Sequence, residues 1–163
     1  MLLGKVLAEA ALASDKFVTW LPAYGPEVRG GAAHCMVIVS DDEIGSPYID
    51  TADTLVIMNQ ISLDKFKNRL KEGGLLVINS SLAKPDNKIK AKIASGKFTD
   101  MAIGLGNIKV ANMAALGMYL KHKKNFTLKN IEQVMRKMAP KDQPELLKVN
   151  FEALKKGMDC KND

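Results

Sequence analysis

The densest group of chemically capable residues lies in one short stretch, Tyr24-Gly25-Pro26-Glu27-Val28-Arg29-Gly30-Gly31. Tyr24 supplies an aromatic face and a hydroxyl. Gly25 and Pro26 set a turn, and Glu27 and Arg29 bring opposite charges two residues apart. Gly30 and Gly31 allow another molecule close to the backbone and leave amide N–H groups available. The guanidinium of Arg29 has the planar fork that suits a carboxylate or a phosphate. The chemistry is that of recognising an anion or a partner surface. The same residues would also serve as a plain strand connection with Glu27 and Arg29 facing solvent, and chemistry alone leaves both readings open.

No other part of the chain assembles a catalytic set. His34 and Cys35 are adjacent on an expected strand, so their side chains point to opposite faces and form no dyad. Cys35 reads as a small buried hydrophobe. Asp41, Asp42 and Glu43 fall in a turn and read as solvated charge. Two cysteines, Cys35 and Cys160, and two histidines, His34 and His122, show no metal-ligand spacing. No catalytic residue and no metal ligand are therefore assigned.

The elements that must hold the glycine-rich stretch are set by periodicity. Apolar residues at 2, 3, 6, 7, 10 and 11 predict a helix over Leu2–Leu12. β-branched and aromatic residues predict strands over 17–21 and 33–40, joined either as a crossover or as a hairpin at a sheet edge. Continuous apolar runs at 54–58 and 75–78 predict strands buried on both faces. Ser62 is expected to cap a helix over 63–70 that ends at Gly73-Gly74. The alternation IKAKI at 89–93 suits an edge strand whose lysines discourage further pairing. Helices are expected over 98–105 and 110–120. In the tail, Thr127 caps a helix over Leu128–Met138, Asp142 with Glu145 makes a capping box for the last helix, and Gly157 stops it. The expected fold is α/β, with a mixed, mainly parallel sheet, helices on both faces and a helical C-terminal extension. The whole of 1–163 is read as one domain, with an α/β core over 1–125 and the extension over 126–163.

Composition narrows the function classes. Of 163 residues, 47% are hydrophobic and 26% charged, which is a globular balance. No apolar run approaches the ~20 residues of a membrane span, so no membrane association is expected. The start Met1-Leu2-Leu3-Gly4-Lys5 lacks a basic n-region, so no signal peptide is read, and the compartment expected is a reducing cytoplasm. The net charge of +6 is uneven: residues 1–81 carry seven Lys/Arg against ten Asp/Glu, and residues 82–163 carry seventeen against eight. That basic half supports one alternative, a nucleic-acid-binding module. Against it, aromatics are 6% and none interleave with the lysines as a stacking platform would require.

The segment Thr19-Trp20-Leu21-Pro22-Ala23 continuing through Tyr24 to Gly31 resembles the gamma subunit, or equivalent domain, of the 2-oxoacid:ferredoxin oxidoreductases. Val39-Ser40-Asp41, Ile44-Gly45-Ser46-Pro47, Asp53 leading into 55–59, 73–81 and 106–113 match in order and spacing. The wording is most similar to the 2-oxoglutarate or ketoisovalerate enzymes. The resemblance implies a non-catalytic gamma subunit in a hetero-oligomer that converts a 2-oxoacid to an acyl-CoA and passes electrons to ferredoxin. Thiamine diphosphate and iron–sulfur clusters would lie in the other subunits, none of them bound by this chain alone, and coenzyme A would be the co-substrate. Tyr24, Gly25, Pro26, Glu27, Arg29, Gly30 and Gly31 would form the binding or interface segment. Members of that family usually open with an apolar strand and a Gly-x-Gly-Gly-Gln-Gly loop, whereas Met1-Leu2-Leu3-Gly4-Lys5 resembles the residues just after that loop. The expectation is that this strand and loop are missing, through a misplaced start or a shortened chain. A chain lacking them is expected to be less stable, and when isolated to pair with a second copy through the exposed edge.

Overall fold

The computed structural model describes residues 1–23, 33–140 and 142–162. They form two compact units, Met1–Asp50 with Leu128–Met138, and Thr51–Thr127 with Ala139–Asp163.

In the first unit, α1 (Leu2–Leu12) buries Val6, Leu7, Ala10 and Ala11 along one face. That face packs on an antiparallel hairpin of β1 (Phe17–Ala23) and β2 (His34–Ser40), paired from Phe17↔Ser40 to Ala23↔His34. The helix Leu128–Met138 also belongs to this unit and buries Ile131, Val134 and Met135, with α1 as its neighbour. The turn from α1 into β1 is held by Lys16 N–H donating to the Ala11 carbonyl at 3.2 Å and by a Lys16–Asp41 ion pair across the hairpin.

The second unit is built on a parallel sheet in the order β3-β4-β5, with β3 at Ala52–Ile57, β4 at Leu70–Asn79 and β5 at Lys92–Gly96. α2 (Gln60–Phe66) makes the crossover from β3 to β4, as a parallel pair requires. The crossover from β4 to β5 is the irregular segment 80–91. α3 (Phe98–Gly104) comes after β5, then α4 (Ala111–Lys123). The remaining helices in chain order are α5 (Leu128–Met138), described above, and α6 (Pro144–Asp159). Leu76, Val77 and Ile78 are fully buried, which explains why their run is uninterrupted by polar residues. α4 is buried almost all round, at Met113 to Met118 and Leu120, because it lies against β4 and β5 and is also crossed by α6.

The α4–α6 crossing is unusually close. A Cβ at Gly117 would collide with the Leu154 carbonyl oxygen, and a Cβ at Gly157 with the Ala114 carbonyl oxygen. Both glycines are required because backbone meets backbone there.

The strands and helices expected from sequence form, with five corrections. Strand pairing gives two sheets among the described residues, one antiparallel and one parallel, rather than one mixed sheet. The cap of α2 is Asn59, whose Oδ1 accepts from the Ser62 N–H at 2.9 Å, so Ser62 is a donor inside the first turn. Gly73 and Gly74 do not end that helix; they sit in β4, where the register jumps from Ala52↔Leu70 to Thr54↔Leu75. The edge strand begins at Lys92, and 89–91 belong to the crossover. Gly157 lies within α6, whose first turn starts at Pro144 after Gln143 with no side-chain cap, so no Asp142–Glu145 box forms. Of the two tail helices, α5 belongs to the first unit and α6 to the second. No helix among the described residues is long and apolar enough to cross a membrane.

The α4–α6 crossing yields a direct test. Gly157→Ala places a methyl against the Ala114 carbonyl, so it should lower unfolding stability by about 2–3 kcal/mol in urea melts. A surface control, Gly104→Ala, meets nothing within 4 Å and should leave the midpoint nearly unchanged.

Candidate functional site

Tyr24, Gly25, Pro26, Glu27, Arg29, Gly30 and Gly31 all lie outside the described residues. Their base is described. The last rung of the hairpin is Ala23↔His34, so the connection begins and ends at one end of the β1–β2 ladder. The first turn of α1 braces that end. Gly4 is buried against Cys35, Val37 and the Trp20 indole nitrogen, and a Cβ there would overlap the Cys35 sulfur. Cys35 also lies 4.0 Å from the Met1 carbonyl. Trp20 pairs with Val37 and Pro22 with Cys35, so the residues that touch Gly4 lie on the fourth and second rungs from the end of the ladder. Cys35 is thus a packing residue, half-buried rather than buried as expected from sequence.

The second unit offers a different kind of place. Open parallel sheets bind ligands outside the carboxyl ends of their strands. Here that end is tied by Asn79, which is fully buried. Its Nδ2 donates to the Met58 carbonyl at 3.1 Å and to Thr99 Oγ1 at 2.8 Å, and its Oδ1 accepts from the Thr99 N–H at 3.2 Å. Ser80 N–H donates to the Gly96 carbonyl at 3.0 Å, and Asp100 N–H to Ser81 Oγ at 3.3 Å. Gln60 N–H donates to the Leu82 carbonyl at 3.1 Å, and Gln60 Oε1 accepts from Lys84 N–H at 2.9 Å. The loops after β3, β4 and β5 are thereby joined by amides and hydroxyls. From sequence, Asn79-Ser80-Ser81 stands out only as part of a matching motif; an asparagine directly after a continuous apolar strand is the signal for its structural role.

Chemically, this carboxyl end offers neutral hydrogen-bonding groups and no nucleophile paired with a base. Among the described residues, no three His, Cys, Asp or Glu come together as a metal-binding group. The perturbed ionisable groups lie elsewhere. A hydrogen bond from Lys71 holds the Asp53 carboxyl below its usual range, and Lys67 does the same for Asp86. Burial raises the Tyr119 phenol, partly offset by the hydrogen bond its oxygen accepts from Asn125. The arrangement suits holding the three strand ends in place.

Comparison with known proteins adds to this geometry. The family described as pyruvate ferredoxin/flavodoxin oxidoreductase matches residues 1–160. A ketoisovalerate oxidoreductase subunit VorA of Methanothermobacter marburgensis is 37% identical over 118 residues, covering 72% of this chain and 25% of that protein. The chain therefore spans about a quarter of that relative's length. A 2-oxoglutarate synthase subunit KorC of Methanocaldococcus jannaschii is 31% identical over 149 residues, covering 89% of this chain and 80% of that one. The crystal structure of a keto/oxoacid ferredoxin oxidoreductase gamma subunit from Geobacter sulfurreducens superposes with a TM-score of 0.82 at 28% identity, covering 97% of this chain and 88% of that one.

The bracing at Gly4 can be tested by coupling. Gly4→Ala should lower the melting midpoint because its methyl meets the Cys35 sulfur. Cys35→Ala in the same chain should recover part of the loss, with a coupling of about 1 kcal/mol. Strict additivity of the two changes in chemical denaturation would show that this contact does not hold the hairpin.

Proposed function

Since the chain belongs to the pyruvate ferredoxin/flavodoxin oxidoreductase family, we propose that it is the gamma-type component of a 2-oxoacid:ferredoxin oxidoreductase, in the cytoplasm, working inside a hetero-oligomer. The observation that carries this reading is the correspondence of nearly the whole chain to a solved gamma subunit of such an enzyme. The reaction is oxidative decarboxylation of a 2-oxoacid to an acyl-CoA with electrons delivered to ferredoxin.

Thiamine diphosphate, bound in another subunit, supplies the decarboxylation chemistry, and iron–sulfur clusters carry the electrons. The residues here do not fit a four-thiolate cluster. A four-thiolate cluster needs four cysteines; this chain has two, Cys35 and Cys160, and they belong to different units. The share of the work left to this chain is assembly and the handling of anionic substrates. Arg29 offers its fork to a carboxylate or to a phosphate of coenzyme A. Gly30 and Gly31 let a partner or substrate approach the backbone, and Tyr24 adds an aromatic face. The hairpin braced by Gly4 presents them.

Two outcomes are expected. The purified chain shows no 2-oxoacid-dependent dye reduction, even with thiamine diphosphate and coenzyme A added; turnover by this chain alone would overturn the reading. In complexes reconstituted with the other subunits, Arg29→Ala assembles normally but loses about ten- to a hundredfold in activity at limiting substrate and coenzyme A, as the loss of a charge-assisted hydrogen bond worth roughly 1.5–3 kcal/mol predicts. Gly30→Val should instead impair complex formation. Full activity for Arg29→Ala would reduce residues 24–31 to a connector.

A further inference from the structure

At the amino-terminal end of the parallel sheet, away from Asn79, lies an open groove of about 360 Å³. Asp53 comes from β3, Lys71 and Glu72 from β4, Lys92 from β5, and His122 and Lys123 from the last turn of α4. Its volume is within the range of small-molecule sites.

The charges in this groove are not balanced. Asp53 accepts from Lys71 Nζ at 2.7 Å, and Glu72 lies 3.4 Å from Lys90 Nζ, so both carboxylates are engaged. Lys92 and Lys123 make no ion pair within 4 Å among the described residues, although Lys123 adds to the pull of Lys71 on the Asp53 carboxyl. Burial first, and Lys92 and Lys121 after it, hold the His122 imidazole below the ordinary 6.5. Cations in the last turn of α4 complement the negative end of its dipole, and Lys121 donates to the Cys160 carbonyl at 2.6 Å. Neither fact accounts for Lys92, which a different element brings to the same place. Like charges gathered from two elements are unfavourable until an anion enters between them.

We propose that this groove binds a phosphate group, free or carried on a small organic molecule, through Lys92 and Lys123, with His122 taking up a proton as the anion enters. Two ammonium groups and an imidazolium match the acceptor oxygens of a phosphate dianion. The groups facing His122 are Lys92, Lys71, Lys121 and Lys123 on the positive side and Asp53 and Glu72 on the negative side, with the last two engaged by Lys71 and Lys90. In the free chain the neutral imidazole is favoured, so stability falls as pH drops through 6.5, where the unfolded chain takes up the proton first. Bound phosphate, by favouring the imidazolium, should lessen that loss. The proposal is independent of the oxidoreductase reading, and no partner subunit or 2-oxoacid enters its test.

The test is NMR of the full chain, following the His122 ring while inorganic phosphate or adenosine monophosphate is added, with sodium chloride of equal ionic strength as control. Phosphate should raise the His122 pKa by about half a unit or more, and Lys92→Ala/Lys123→Ala should weaken binding about tenfold or more. Tighter binding of adenosine monophosphate than of inorganic phosphate identifies an organic carrier; equal or weaker binding identifies the free anion. An equal shift with chloride, or undiminished binding by the double variant, would overturn the proposal.

Discussion

The second unit depends on satisfying one buried amide. Asn79 is removed from water at the end of β4, where any unmade hydrogen bond would cost roughly 1–3 kcal/mol. It is satisfied only if Met58 comes directly after β3 and Thr99 opens α3 at the right heights. The side chain therefore fixes the order and stagger of three strand ends at once, which apolar packing alone does not specify. The apolar run before it drives burial, α4 covers that run, and the close contact at Gly117 and Gly157 seats α6 on α4.

The first unit uses a different constraint with the same purpose. Its hairpin is short and two-stranded, an element that is marginal alone. α1 supplies the missing cover, and Gly4 lets the helix reach the strand at Cys35 and Val37. The segment proposed for partner and substrate contacts thus starts and ends close to rungs against which a helix packs. An assembly subunit needs this: a recognition segment is effective when its anchors do not move.

How much was readable from sequence depends on how local each signal is. α1 and α5 match their expected bounds because their amphipathic spacing is complete within eleven residues each. The strand at 75–78 is readable as a buried one because a continuous apolar run has few other solutions; the run at 54–58 also forms a strand, but β3 is mostly half-buried, with Ile57 its buried residue. The expectations that failed all involve residues whose role is set by distant backbone. Gly73 and Gly74 look like a helix stop but serve a jump in strand register, and Gly157 looks like another stop but admits α4. Ser62 looks like a cap because it directly precedes the apolar stripe that starts at Leu63, whereas the cap is Asn59. Of the candidate sites, the motif over 24–31 was legible as chemistry, whereas the knot at Asn79 and the groove at His122 arise from long-range pairings that no local pattern announces.

The central claim is that this chain acts as one component of a larger 2-oxoacid-oxidising assembly. The most direct measurement is size-exclusion chromatography of the affinity-tagged chain purified anaerobically from its own cells, assaying each fraction for 2-oxoacid- and coenzyme A-dependent ferredoxin reduction. The account predicts that the chain elutes well above its monomer size and that the activity tracks it across the peak. Elution of the chain alone, with the activity in fractions that lack it, would contradict the account.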